Sequence, residues 1–170
     1  SLNRNREAKS ALSSELAILD DMESRCEGLN NSVKNILRDK TSGGGVYDCV
    51  EGILADIIKA DIEYAAAVEA ALEGRTDALV INDTEKILSD IKGMGNLDGR
   101  VNIVSMDKLR PFVDSRDLSG IHGVRGRLIE YVKYGSKYSS LVWGLLGKTV
   151  IVDSIGLAIE LSDKLPGEYR

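Results

Sequence analysis

An internal repeat constrains this chain more than any other feature. Displaced by about 74 residues, Gly52-Ile-Leu-Ala-Asp-Ile-Ile-Lys-Ala-Asp-Ile-Glu-Tyr64 lines up without a gap on Gly126-Arg-Leu-Ile-Glu-Tyr-Val-Lys-Tyr-Gly-Ser-Lys-Tyr138. Agreement continues with Val68 on Val142 and Leu72 on Leu146, and a one-residue slip at Glu73 then sets Gly74-Arg75 on Gly147-Lys148. Two more short gaps place Leu79-Val80-Ile81 on Val150-Ile151-Val152, Asp83 on Asp153, Ile87 on Leu157 and Ile91 on Leu161. Ordered agreement of this kind is far harder to obtain by accident than any single match. The chain is therefore expected to form two similar subdomains in tandem. Gly52, Gly74, Gly126 and Gly147 are its structural glycines, with Gly52 and Gly126 at equivalent backbone positions and Tyr64 and Tyr138 at equivalent helical ones. Such pairs pack about a pseudo-dyad, and their exposed edges suit self-association.

Within each unit the signals alternate. Ile62 to Leu72 reads as an Ala-rich helix, Ala78 to Ile81 as a short buried strand, Thr84 to Ile91 as helix and Val101 to Val104 as strand. That order predicts a mixed α/β fold with helices on small sheets. The first 40 residues are different. Leu19, Met22, Cys26, Leu29, Val33 and Ile36 run at spacings of three and four, an a/d seam that Glu15 interrupts upstream. A helix from Leu12 to Ile36 would be about 37 Å long, and one apolar stripe on such a rod wants a partner helix. The bland alternative is an amphipathic helix lying on a globular core. Gly43, Gly44 and Gly45 follow, and three glycines after a helix read as terminator and joint rather than as a phosphate cradle, which stands between a strand and the next helix. The division expected is an arm at 1–40, one subdomain at 41–118 and a second at 119–170.

Composition then narrows the chemistry. Lys plus Arg number 22 against 27 Asp plus Glu, a net charge of −5, which argues against wholesale coating of nucleic acid and leaves local basic patches open. Two such patches stand out: Lys34, Arg38 and Lys40 at the end of the arm, and Arg125 with Arg127 and nearby Lys133 at the start of the second repeat. Any DNA contact there would be electrostatic, weak and blind to sequence. The plainer role is solubility and charge complementarity at a helix C-terminus. A single histidine, His122, excludes His-based metal cages, and two cysteines are too few for a disulfide scaffold. Cys26 reads as an apolar filler, and Cys49 has no base beside it in sequence to make it a nucleophile. Gly147-Lys148-Thr149 imitates a P-loop, yet Val142 stands where the first glycine is required and the segment runs helix to strand. Acidic pairs such as Asp20 with Asp21 and Asp56 with Asp61 read as solvated helix faces. No catalytic residue, cofactor or metal is expected. Nothing in the chain is apolar for long enough to span a membrane, and a soluble intracellular protein is expected.

Taken together, the heptad helix, the glycine joint and the doubled unit resemble the hinge domain of structural maintenance of chromosomes (SMC) proteins, nearer the bacterial, homodimeric branch than the eukaryotic subunits. The stretch that carries the resemblance runs from Gly52 to Arg75 and on through Ala78-Leu-Val-Ile81. Gly126 to Lys148 and Thr149-Val-Ile-Val-Asp153 look like its second subdomain. The resemblance implies a non-catalytic homodimerisation module that joins two coiled-coil arms. The whole protein would carry ATPase heads and accessory subunits, act in chromosome condensation and segregation, and be cytoplasmic and nucleoid-associated. It also implies a weak DNA contact near the arm. Two other classes stay open on the residues alone, a small α/β nucleotide-binding or enzyme domain and a coiled-coil adaptor. Repeat two lacks a counterpart of the strand at Val101, since Arg100 falls on Arg170 at an offset of 70. A sheet one strand short is therefore expected there, with an outgoing helix beyond it.

Overall fold

The repeat is built in space as two matching units, each a bulged antiparallel strand pair whose strands are joined through a helical turn, a short strand and a helix. In this computed structural model the described residues are 12–14, 29–43, 45–89, 100–110, 114, 116–165, 167, 169 and 170. Strand β1 (Val50–Ile53) pairs antiparallel with β3 (Leu79–Ile81), setting Val50 opposite Ile81, Gly52 opposite Val80 and Ile53 opposite Leu79, with a bulge between Val50 and Gly52. Strand β5 (Val124–Arg127) pairs with β7 (Val150–Val152) in the same way: Val124 opposite Val152, Gly126 opposite Ile151, Arg127 opposite Val150, with the bulge between Val124 and Gly126. Gly52 and Gly126 have φ of 159° and 143°, a region that other residues enter only under strain. The bulge needs that geometry, and it leaves Glu51 and Arg125 as the extra residues re-aimed out of the ladder.

The equivalence extends along the chain. Helix α1 (Asn31–Thr41) precedes the first unit, and α2 (Leu54–Ile57) corresponds to the 3-10 turn Leu128–Tyr131. Then come β2 (Lys59–Ala60) and β6 (Val132–Lys133). These two strands pair with each other, and Lys59 faces Lys133, its own counterpart 74 residues on. A strand position that meets its repeat equivalent marks the pseudo-dyad. Helix α3 (Ile62–Ala71) matches α5 (Ser139–Leu146), and Tyr64 and Tyr138 each donate a backbone N–H to the carbonyl three residues back, Asp61 and Gly135, at 2.9 Å. Tyr138 ends a 3-10 turn where Tyr64 lies in the helix itself, so the positions agree and the local winding differs.

Downstream the register is simpler than the aligned letters imply. Leu128 N–H bonds Thr149 O as Leu54 N–H bonds Ala78 O, and Asp153 N–H bonds Gly123 O as Asn82 N–H bonds Cys49 O. Asn82 is therefore the counterpart of Asp153. Asp83 matches Ser154, not Asp153: Asp83 caps α4 (Thr84–Leu88) through Lys86 N–H, and Ser154 caps α6 (Ile155–Lys164) through Leu157 N–H. The scattered gaps merge into one longer turn between Leu72 and Ala78. Within it Glu73 and Gly74 take φ of 53° and 72°, whereas Gly147 is right-handed at −64°. Gly74 is thus a conformational glycine and Gly147 is not its equivalent.

Strand β4 (Ile103–Ser105) adds parallel to β3, giving a three-stranded sheet in repeat one; repeat two holds only β5 and β7 among the described residues. The expected strand at Val101 to Val104 begins at Ile103, and Ile91 lies outside the described residues. Two cores result. One is shared by the repeats and contains Leu54, Ile58, Val68 and Leu72 with Leu128, Val132, Val142 and Leu146, each side chain worth about 1.5 to 3 kcal/mol on burial. The other packs Val33 and Ile36 of α1 against Cys49, Val50, Ile53, Leu79, Ile81 and Ile87. The expected helix from Leu12 through Ile36 is not continuous, because Asn30, at ψ 140°, caps a new helix by accepting Ser32 N–H at 2.9 Å. The heptad positions Leu19, Met22 and Cys26 lie outside the described residues. Val33 and Ile36 are spent on the core of repeat one, as the alternative of an amphipathic helix on a globule anticipates.

Candidate interaction surfaces

Five cations were expected to face DNA, and the structure treats them differently. In α1, Lys34 is half-buried and Arg38 is exposed; Arg38 and Lys40 occupy the last turn, where cations offset the helix dipole. Lys40 Nζ also donates to Glu51 O at 3.1 Å, tying the helix to the bulge. Arg125 is half-exposed and committed to Asp153 at 2.6 Å and Glu63 at 3.8 Å. Its Asp153 partner is the main reason its proton is held more tightly than usual. Arg127 is not a surface cation. It is 5% exposed and donates to Asp114 at 2.7 Å, Gly147 O at 2.7 Å and Arg116 O at 3.0 Å, with its guanidinium over the Tyr169 ring. The bulge explains the split: on a regular strand residues two apart share a face, but here Arg125 is the bulged residue and Arg127 is in the ladder.

Lys137 is a cation that the sequence reading passed over. It donates to Glu51 Oε2 at 2.7 Å, while Asn82 Nδ2 reaches Glu51 Oε1 at 2.7 Å and Tyr138 Oη reaches Oε2 at 3.2 Å. The lysine foremost, aided by Asn82 and Tyr138, holds the Glu51 carboxyl below its ordinary range, and the Lys137 ammonium is correspondingly raised. The signal for it was present in the alignment, where Glu63 falls on Lys137 and Glu51 on Arg125, opposite charges at equivalent places. On the same flank as Arg125, Tyr64 stacks on Tyr131 with centroids 4.3 Å apart.

A second surface lies along β7. Among the described residues its outer edge meets Arg170, which accepts from Val150 N–H through its carbonyl and donates its N–H to Lys148 O, both at 2.9 Å. Asn102 makes the corresponding bond to Leu79 in repeat one, immediately before β4. Beside this edge runs a groove of about 300 Å³ lined by Val150, Val152, Ala158, Leu161, Leu165 and Tyr169. Helix α6 further exposes Ile155 and Ile159, at 82% and 64%.

The candidate chemistry elsewhere resolves to structure. Gly147-Lys148-Thr149 turns from α5 into β7, the reverse of a phosphate loop. Cys49 is buried, and that burial pushes its thiol up, away from reactivity. His122 is exposed in the loop before β5. Asp56 pairs with Lys59 at 3.5 Å and Asp61 with Lys133 at 3.3 Å, while Asp20 and Asp21 lie outside the described residues. Among the described residues no three His, Cys, Asp or Glu side chains are grouped to hold a metal, and no helix is long and apolar enough to cross a membrane.

Comparison with known proteins places this architecture. The family model for the SMC proteins Flexible Hinge Domain matches residues 48–162, which takes in both repeats. The Chromosome partition protein Smc of Halothermothrix orenii is 29% identical over 166 residues, covering 94% of this chain and 14% of that protein. The chain thus spans about a seventh of that relative's length. The Pyrococcus furiosus SMC hinge domain superposes with a TM-score of 0.62 at 30% identity, over 85% of this chain and 74% of the other. An asymmetric dimer of the Geobacillus stearothermophilus SMC hinge domain superposes with a TM-score of 0.68 at 21% identity, over 95% of this chain and 65% of the other, a likeness of fold. With two bulged strand pairs joined at a pseudo-dyad and the family model matched along both repeats, this chain belongs to the SMC hinge family.

Proposed function

We propose that the chain is the homodimerisation hinge of a chromosome-partition Smc protein. It joins two coiled-coil arms, and α1 is the end of the incoming one, seated by Val33 and Ile36 on repeat one rather than on a partner helix; the chain does no chemistry of its own. The division into an arm at 1–40 and subdomains at 41–118 and 119–170 belongs to this proposal. The observation that carries it is the family match combined with the short second sheet: among the described residues β7 is an edge strand of a two-stranded sheet, flanked by an apolar groove and by the exposed Ile155 and Ile159. Edges of this kind pair with another chain. The hinge structure from Geobacillus stearothermophilus is itself a dimer. Sedimentation equilibrium of the chain should show a concentration-dependent dimer without added ligand. A monomer at all concentrations, or a dimer that requires a nucleotide, would defeat the reading.

DNA contact is proposed as a weak secondary role of Lys34, Arg38 and Lys40, with the half-exposed Arg125 as an auxiliary. Whole-protein ATPase heads, accessory subunits and a nucleoid location follow from the same proposal. Fluorescence anisotropy against salt tests the DNA role. Reversing all three charges of α1 should weaken binding and flatten the log–log salt slope by about 0.9 per lost phosphate contact; an unchanged slope removes the patch.

A further inference from the structure

We propose that Glu51, Glu63, Arg125 and Lys137 decide which repeat pairs with which, admitting repeat one against repeat two and rejecting two like repeats, within a chain or between two copies. Much of the apolar junction is alike in the two repeats and leaves that choice open. Leu54, Ile58, Val68 and Leu72 have Leu128, Val132, Val142 and Leu146 as counterparts, and all eight lie in one core. The β2–β6 ladder is equally indifferent, since it sets one lysine against another. The places that differ, Ala67 against Leu141 and Ala71 against Leu145, change the fit of a like pairing but not its charge.

The polar flanks differ. Each bulge aims its extra residue across the junction at the start of the opposite repeat's helical segment. On one flank Glu51 meets Lys137 and Asn82; on the other Arg125 meets Glu63 and Asp153. The pseudo-dyad superposes these clusters place for place with the charges permuted: Glu on Arg, Lys on Glu, Asn on Asp. In a pairing of two first repeats Glu51 would face Glu63 on both flanks. In a pairing of two second repeats Arg125 would face Lys137 on both flanks. The Glu51 side chain is only 19% exposed, so a clash at Glu51 would be screened less than one between the more exposed Arg125 and Lys137. Rejection of wrong partners by like charges is a recognised source of specificity.

The test exchanges charges without changing composition. E51R/R125E keeps every residue count, sets a cation against Lys137 and a carboxylate against Glu63, and makes two like repeats complementary. Its thermal midpoint in low salt should fall by on the order of 5 °C and recover with added salt. Adding N82D, D153N, E63K and K137E rebuilds the clusters in mirror arrangement and should restore the midpoint. Partner choice is read separately with K59C/K133C in a Cys26→Ser background. The disulfide should form within one chain in the parent and the mirror variant, and between chains in E51R/R125E. An exchanged variant that melts like the parent overturns the proposal. So does one that is destabilised yet still closes the disulfide within its own chain, and so does a mirror variant that fails to recover.

Discussion

Arg127 spreads its guanidinium over one carboxylate and two main-chain carbonyls at 5% exposure, and Asp114, held low first by the Arg116 N–H and then by Arg127 itself, is the carboxylate that balances it there. Replacing Arg127 by Ala strands that carboxylate and should cost about 3 to 5 kcal/mol in urea unfolding. Arg127→Lys should recover little of it, because one ammonium does not span three acceptors. At this scale the sequence misled, since Arg125 and Arg127 read as one basic patch and only the bulge between them assigns one to the junction and the other to the interior. Asp107 was equally invisible. It accepts from Thr84 Oγ1 at 2.7 Å, from Thr84 N–H at 3.2 Å and from Ser105 Oγ, and these bonds, the serine foremost, bring its carboxyl down to about 2. A carboxyl lowered from an ordinary 3.8 contributes stability at all higher pH and loses it as pH falls through that window. Asp107→Asn should therefore unfold more readily than the parent at pH 7, with the difference closing between about pH 4 and about pH 2 in a denaturation series.

The bulged strand pair is the element on which the fold turns. Gly52 at φ 159° and Gly126 at φ 143° occupy the same rung of two matching ladders. A Cβ at Gly126 would meet Glu130 Oε2 at 2.5 Å, where the flexible carboxylate has to shift, while the same Cβ at Gly52 meets nothing within 4 Å. Both Gly→Ala changes should destabilise by about 1 kcal/mol or more from backbone strain alone, with the larger loss at Gly126. Equal losses in chemical denaturation would show that the Glu130 contact is immaterial. The alignment found this pair because glycines in a strained conformation have no substitutes. It missed the shift that sets Asp83 on Ser154, because an aspartate and a serine cap a helix by the same bond and nothing in the letters distinguishes a cap from its neighbour. Asn30 illustrates the same blindness: the heptad spacing runs straight through a residue whose side chain starts a new helix.

Across the whole molecule the two repeats share one core, so a truncation in either should unfold both together. Leu54→Ala and Leu128→Ala, at counterpart positions 1% and 0% exposed, should each cost about 2 to 5 kcal/mol and leave a single unfolding transition by calorimetry. Two transitions would mean the repeats are separate folding units. The amino-acid sequence by itself determined that there are two repeats, the Tyr-led helix and the strand after it in each, and the family to which they belong. All of these rest on local spacing and on glycine and apolar positions that recur in order. Strands β1, β2, β5 and β6 did not show in it, because strands of two to four residues around a bulge carry no clean period. Only the tertiary structure decided that the repeats meet at β2 and β6, that Val33 and Ile36 serve a core rather than a rod, and that Glu51 and Arg125 face unlike partners across the junction. Those are contacts between residues far apart in the chain, set by which surfaces the bulges turn toward each other, and no spacing within either repeat encodes them.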